Sequence, residues 1–177
     1  MISRRRGLAL LSVAMVAAVL PAAARAQQFA SVGVEAIIAS TSLSIGQMQD
    51  LRFGNVVPGV PVVINPRTNT NAGMWEIHGN RNAEIAVQLA LPSQLSTGFW
   101  TMPIAFGNNS GCWRRQAGQG ACTLYDPATT LVERIRNAPA PNNTFHVWIG
   151  GTVNPAAAQH TGVYLANVTL TVAYTGN

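Results

Sequence analysis

The chain has 177 residues, 48% hydrophobic and only 10% charged, too apolar for a disordered protein, and its 10 Pro and 16 Gly are too many for a helical bundle. Its formal charge of +5 comes from the N-terminal segment: apart from Arg4, Arg5, Arg6 and Arg25, seven Arg stand against six acids, and there is no Lys. This argues against a nucleic-acid binder, which needs a clustered basic footprint, and the sparse charge argues against an ordinary cytosolic enzyme.

In chain order, residues 1–26 read as a secretory signal. A basic start (Arg4–Arg6) precedes an uncharged run, Leu8–Leu20, which Pro21 ends. Ala24-Arg25-Ala26 then offers small residues at both positions that a signal peptidase reads. The run is too short to span a bilayer, which takes about 20 residues, so no membrane span is expected. The twin arginines loosely fit the twin-arginine route, but the Phe usual in that signal is missing, and the general pathway is preferred. Cleavage after Ala26 would start the mature chain at Gln27 and place the protein in the periplasm, on the cell surface or outside the cell.

Residues 27–39 form an extended apolar arm. Val32, Val34, Ala36 and Ile38 fall on one face, and Gly33, Glu35 and Ile37 on the other. It is either the first strand of its own domain or a strand lent to a neighbour. Residues 40–177 make one domain of short strands separated by turn clusters. The segment near Leu51–Val57 starts a set that continues with Val60–Ile64, Met74–His78, Glu84–Leu89, Phe99–Phe106 and Thr144–Ile149. Turns fall at Gly79-Asn80, Gly107-Asn108-Asn109, Gly150-Gly151, Asn154-Pro155 and Gly162. Residues 126–137 read as either a short helix or an edge strand. Tyr164–Tyr174 alternates over eleven residues and is the clearest half-buried strand. Together these predict an all-β, antiparallel sandwich.

Cys112 and Cys122 are the only cysteines. Export permits a disulfide, and their spacing matches neither a metal site nor a C-x-x-C redox pair. Inside the loop they close, Trp113-Arg114-Arg115 is the best candidate for ligand contact, since an aromatic beside two guanidiniums suits sugar stacking or carboxylate binding. The other reading is that Trp113 packs over the disulfide and the arginines are solvated. His78, His146 and His160 lack the i, i+4 spacing of helical metal ligands and are expected to face solvent or the core edge. No nucleophile elbow, phosphate loop or acid/base couple is evident, so no catalytic residue, metal site or cofactor is expected.

The order of motifs resembles a known family. Leu51-Arg52-Phe53-Gly54, closing on Pro58-Gly59, fits an L-x-F-G-x-x-x-P-G signature. Val63-Ile64-Asn65-Pro66, Ile77-His78-Gly79-Asn80 and Phe145–Thr152 follow it, then Gln159, Gly162-Val163-Tyr164 and Val168–Tyr174. This layout is similar to the secreted bacterial family called domain of unknown function 4402, and also to the spore coat protein U type, which includes subunits of archaic chaperone–usher pili. The chain departs from them in Arg52, in the insertion carrying the cysteines, and in lacking an early cysteine.

The resemblance implies an immunoglobulin-like β-sandwich acting as a structural subunit of a surface filament. Its partners would be further copies or other pilus subunits, with a periplasmic chaperone and an usher. The arm would be the donor strand, through Val32, Val34, Ala36 and Ile38, and Tyr164, Val168, Leu170 and Val172 would form the acceptor strand. The rival expectation is a self-contained secreted adhesin or glycan-binding module, its arm folded back as its own first strand and Trp113 reading the glycan.

Overall fold

The structure, a computed structural model, describes residues 42–176. The signal segment and the arm, including Val32, Val34, Ala36 and Ile38, lie outside the described residues. The described chain is all-β, with twelve strands and a single 3-10 turn, Gln119–Ala121. The strands are β1 (Ser44–Gln49), β2 (Val62–Ile64), β3 (Gly73–His78), β4 (Glu84–Ala90), β5 (Gln94–Thr97), β6 (Trp100–Ala105), β7 (Gly111–Arg114), β8 (Thr123–Tyr125), β9 (Leu131–Arg134), β10 (Thr144–Ile149), β11 (Gly151–Val153) and β12 (Thr169–Tyr174).

They form three antiparallel sheets, ordered β1-β3-β10-β7-β8, β2-β11-β6-β5 and β12-β4-β9. Period-two alternation explains the main core. On β3 it sends Trp75 and Ile77 to one face, on β10 Phe145, Val147 and Ile149, and on β4 Ile85 and Val87. With Ile135 these side chains form one buried cluster, so the five-stranded sheet meets the three-stranded sheet through it. A smaller core of Met102, Ile104 and Val153 lies on the four-stranded sheet, with Phe53, Val62, Leu95 and Tyr164 packed around it.

One bend couples the two cores. β10 and β11 are successive stretches of chain separated by Gly150 alone, the first in the five-stranded sheet and the second in the four-stranded sheet. Gly150 N–H donates to the Ser110 carbonyl at 2.8 Å, and a Cβ there would stand 2.1 Å from the Ile64 carbonyl oxygen. Only glycine lets the backbones approach this closely.

Several expectations change. Gly150-Gly151 is not a hairpin turn, because Gly151 already pairs with Ile64. Leu51–Val57 is irregular; the first described strand is instead Ser44–Gln49, whose six residues are all exposed and carry no apolar alternation. Residues 126–137 hold a strand, β9, at the edge of the three-stranded sheet. The C-terminal strand is shorter than its alternation predicts and starts at Thr169. Tyr164 belongs elsewhere: it packs against the small core, accepts a hydrogen bond from Gln159 Nε2 at 2.6 Å, and donates to the His160 carbonyl at 2.8 Å. Gln159 Nε2 also donates to the Thr101 carbonyl at 3.0 Å, which ties residues 159–165 to the β5–β6 hairpin, and Leu165 there makes an isolated bridge to Ser96.

Charge is unevenly distributed. The four-stranded sheet contains no Asp, Glu, Lys or Arg, and none occurs in residues 53–66, 85–113 or 137–176. The ion pairs Arg52–Asp50, Arg115–Glu133 and Arg134–Glu84 involve none of its strands.

Candidate functional site: the β1–β12 flank of the main core

Among the described residues, β12 pairs with β4 alone and β1 with β3 alone. The two edges lie on the same flank. On the opposite flank, Arg115, following β7, meets Glu133 of β9 at 2.9 Å across the core. On the β1–β12 flank, a Cβ at Gly79 would meet Leu43 Cδ2 and the Tyr174 hydroxyl at 2.9 and 2.7 Å, and Tyr174 accepts a hydrogen bond from Asn80 N–H at 2.7 Å.

Register determines what this flank presents. Leu170 lies opposite Leu89, and Val172 opposite Val87. Thr175 N–H donates to the Glu84 carbonyl at 3.2 Å. In an antiparallel ladder the hydrogen-bonded positions alternate, so Ala173, Thr171 and Thr169 also face β4. Leu170 and Val172 therefore turn their backbone N–H and C=O groups away from β4 while their side chains point to the core. Val87 is 1% exposed, whereas Val172 opposite it is only half-buried; Leu170 and Leu89 are both half-buried. Ile45 shows the same on the other edge: it shares a cross-strand row with fully buried Ile77 and Phe145, yet is 43% exposed. Burial thus falls toward both edges of this flank, leaving an apolar strip beside backbone groups that no described strand pairs.

Of the predicted acceptor residues, the structure brings Leu170 and Val172 together on β12. Val168 precedes the strand and packs against the same core, and Tyr164 is elsewhere.

Trp113, Arg114 and Arg115 are split between faces. Trp113 lies on the core side of β7, with its ring stacked on Phe145 at 5.3 Å between centroids. Cys112 and Cys122 are disulfide-bonded, with Cα atoms 5.7 Å apart, and are buried with Trp148 on the other face. It is Trp148, not Trp113, that packs with the disulfide. Arg114 closes its own loop by donating to the Gly118 carbonyl at 3.0 Å. The Arg115 guanidinium carbon stands 5.9 Å from the Trp113 ring centroid, and its Nη2 is held by Glu133. An open depression of about 370 Å³ does lie here, lined by Trp113, Arg114, Arg115, Gln116, Thr123 and Glu133. Both guanidiniums bordering it already have acceptors within the chain.

A cluster absent from the sequence reading lies on the outer face of the five-stranded sheet. Glu76 of β3 lies directly opposite His146 of β10, and His78 is two residues along β3. The Glu76 carboxylate meets His78 Nε2 at 2.6 Å and His146 Nε2 at 3.4 Å. His146 is buried and lies against Trp148. Burial lowers its pKa below the ordinary histidine value, and Glu76 acts in the opposite sense. Alternation on each strand was visible in the sequence, but the β3–β10 register that joins them was not. No group of three His, Cys, Asp or Glu among the described residues is arranged to hold a metal ion.

No family model matches the chain, and no curated protein matches it.

Proposed function

We propose that this chain is an exported structural subunit that polymerises by strand addition along β12, forming a surface filament of the pilus type. In this reading the five- and three-stranded sheets are the layers of an immunoglobulin-like sandwich that lacks one strand. Residues 27–39 of a neighbouring copy supply it, placing Val32, Val34, Ala36 and Ile38 over the strip formed by Leu170, Val172 and Ile45. One observation carries the reading: on the core face Val172 is half-buried and Ile45 exposed at the two edges of a single flank, while Val87 and Ile77, their counterparts one strand inward, are fully buried. An added strand satisfies outward backbone groups and buries alternate apolar side chains together. The disulfide is consistent with export, and no helix among the described residues is long and apolar enough to cross a membrane. A chaperone that covers the flank before assembly, and an usher, are the partners this reading calls for.

The test is deletion of residues 27–39 from the exported protein. Filaments should disappear in electron micrographs, and the remaining subunit should bind a synthetic peptide of residues 27–39. Val34→Asp or Ile38→Asp should likewise prevent assembly, because an unpaired charge in an apolar strip costs several kcal/mol. A wild-type protein that stays monomeric at high concentration, with residues 27–39 protected from hydrogen exchange, would show that the arm is internal.

A further inference from the structure

The four-stranded sheet carries a feature that strand addition does not use. Strands β5 and β6 join through the two-residue turn Gly98-Phe99, and Gly98 at φ 56° adopts the left-handed conformation this tight hairpin requires. Phe99 is 102% exposed and Trp100 is 53% exposed. Val163 and Leu165 stand beside them, 74% and 68% exposed. This apolar tip is held firmly. The Trp100 ring stacks on His160 at 4.8 Å and 4° between planes. Leu165 and Ser96 exchange two backbone hydrogen bonds of 2.9 Å, and Gln159 ties Tyr164 to the Thr101 carbonyl.

Its surroundings favour one kind of partner. No Asp, Glu, Lys or Arg lies on the sheet or in the loops beside the tip, so contact with an apolar phase desolvates no formal charge. Sugar recognition needs hydrogen-bonding side chains aimed outward around the ring, but the Gln159 amide is committed inward. A convex tip with Phe foremost and Trp behind it matches what enters the headgroup layer of a bilayer, where aromatic side chains partition most favourably. With no Lys or Arg beside the tip, and His160 the one neighbour that can become cationic, there is no fixed positive charge to favour anionic lipid. We infer that the Phe99–Trp100 tip, flanked by Val163 and Leu165, is a docking point for the uncharged surface of a lipid bilayer.

The test uses the exported protein with vesicles of pure phosphatidylcholine. Protein should float with the vesicles, and neither added phosphatidylserine nor about 0.5 M salt should change the amount bound. Trp75 and Trp148 are buried and Trp113 is stacked on Phe145, so Trp100 is the tryptophan that brominated lipid should quench. Trp100→Phe should therefore bind vesicles but lose the quenching. Phe99→Asp should weaken binding at least about tenfold with an unchanged circular dichroism spectrum, since its side chain packs on nothing. Val132→Asp, on an exposed position of β9, should bind as wild type.

Absence of flotation, equal binding by Phe99→Asp, or binding that requires phosphatidylserine and disappears in salt would each overturn the proposal. So would a neutral oligosaccharide that shifts Trp100 emission when phosphatidylcholine does not. Filament formation by Phe99→Asp should be unaffected, so failure here and failure of strand addition are separately visible.

Discussion

His146 links the fold to pH. Its folded pKa lies below the unfolded value, because burial disfavours the imidazolium more than Glu76 favours it. The unfolded chain therefore binds more protons, and stability increases with pH over the range where His146 titrates. The contribution is complete above the unfolded histidine pKa of about 6.5 and is lost as pH falls from there toward the folded pKa. Urea unfolding measured from pH 8 to pH 5 should show this loss, and His146→Phe should flatten the slope. Tyr125 makes the opposite point about burial. Its hydroxyl is buried without a hydrogen-bond partner, and burial pushes its pKa up. Tyr125→Phe should stabilise the protein by about 1–2 kcal/mol in the same assay, because an unsatisfied polar atom is removed. The inward apolar residues Ile77, Ile85, Phe145 and Val147 could be read from alternation, whereas the Glu76–His146 pair depends on register between strands 70 positions apart.

At the level of elements, Gly150 is the position least able to change. Gly150→Ala drives a Cβ into the Ile64 carbonyl and must displace β2 or open the β10–β11 bend. A loss of about 3 kcal/mol or more is expected, read as a lower urea midpoint with little change in slope. Strong alternation made β3, β4 and β10 legible. β11, with Gly at its start and three residues in all, resembles a turn by composition because its pairing is tertiary. β1 escaped for a related reason: its Gly and Gln residues have weak strand propensity, and pairing with β3 defines it. Tyr164 shows the converse error. Its alternation continues that of β12, yet its ring fits the smaller core and its hydroxyl satisfies Gln159 and His160.

Across the whole molecule, the sequence was enough to read an all-β antiparallel domain and its disulfide, because short alternating runs, frequent turns and an even cysteine pair are local signals. The division into three sheets was not readable, since it arises where one run of chain changes partners at Gly150. The β12 edge could be read as a strand but not as an edge, because being an edge depends on which strands are near it. The aromatic loop reading met the same limit: Trp113 and Trp100 both sit among turn residues, and only packing places one against Phe145 and leaves the other outside.

The absence of charge after Arg136 also governs how proteases cut the chain. Trypsin needs Lys or Arg, and none follows Arg136, whose own N–H is held by the Thr144 carbonyl at 3.2 Å. Complete digestion of the unfolded chain should therefore leave residues 137–177 uncut, together on one peptide. It contains both segments joined at Gly150 together with β12, so one central strand from each of two sheets and the edge strand of the third leave on a single fragment. Any tryptic nick tolerated by the folded protein must fall before these strands, which makes the C-terminal fragment a natural handle for cleavage-and-reassociation experiments.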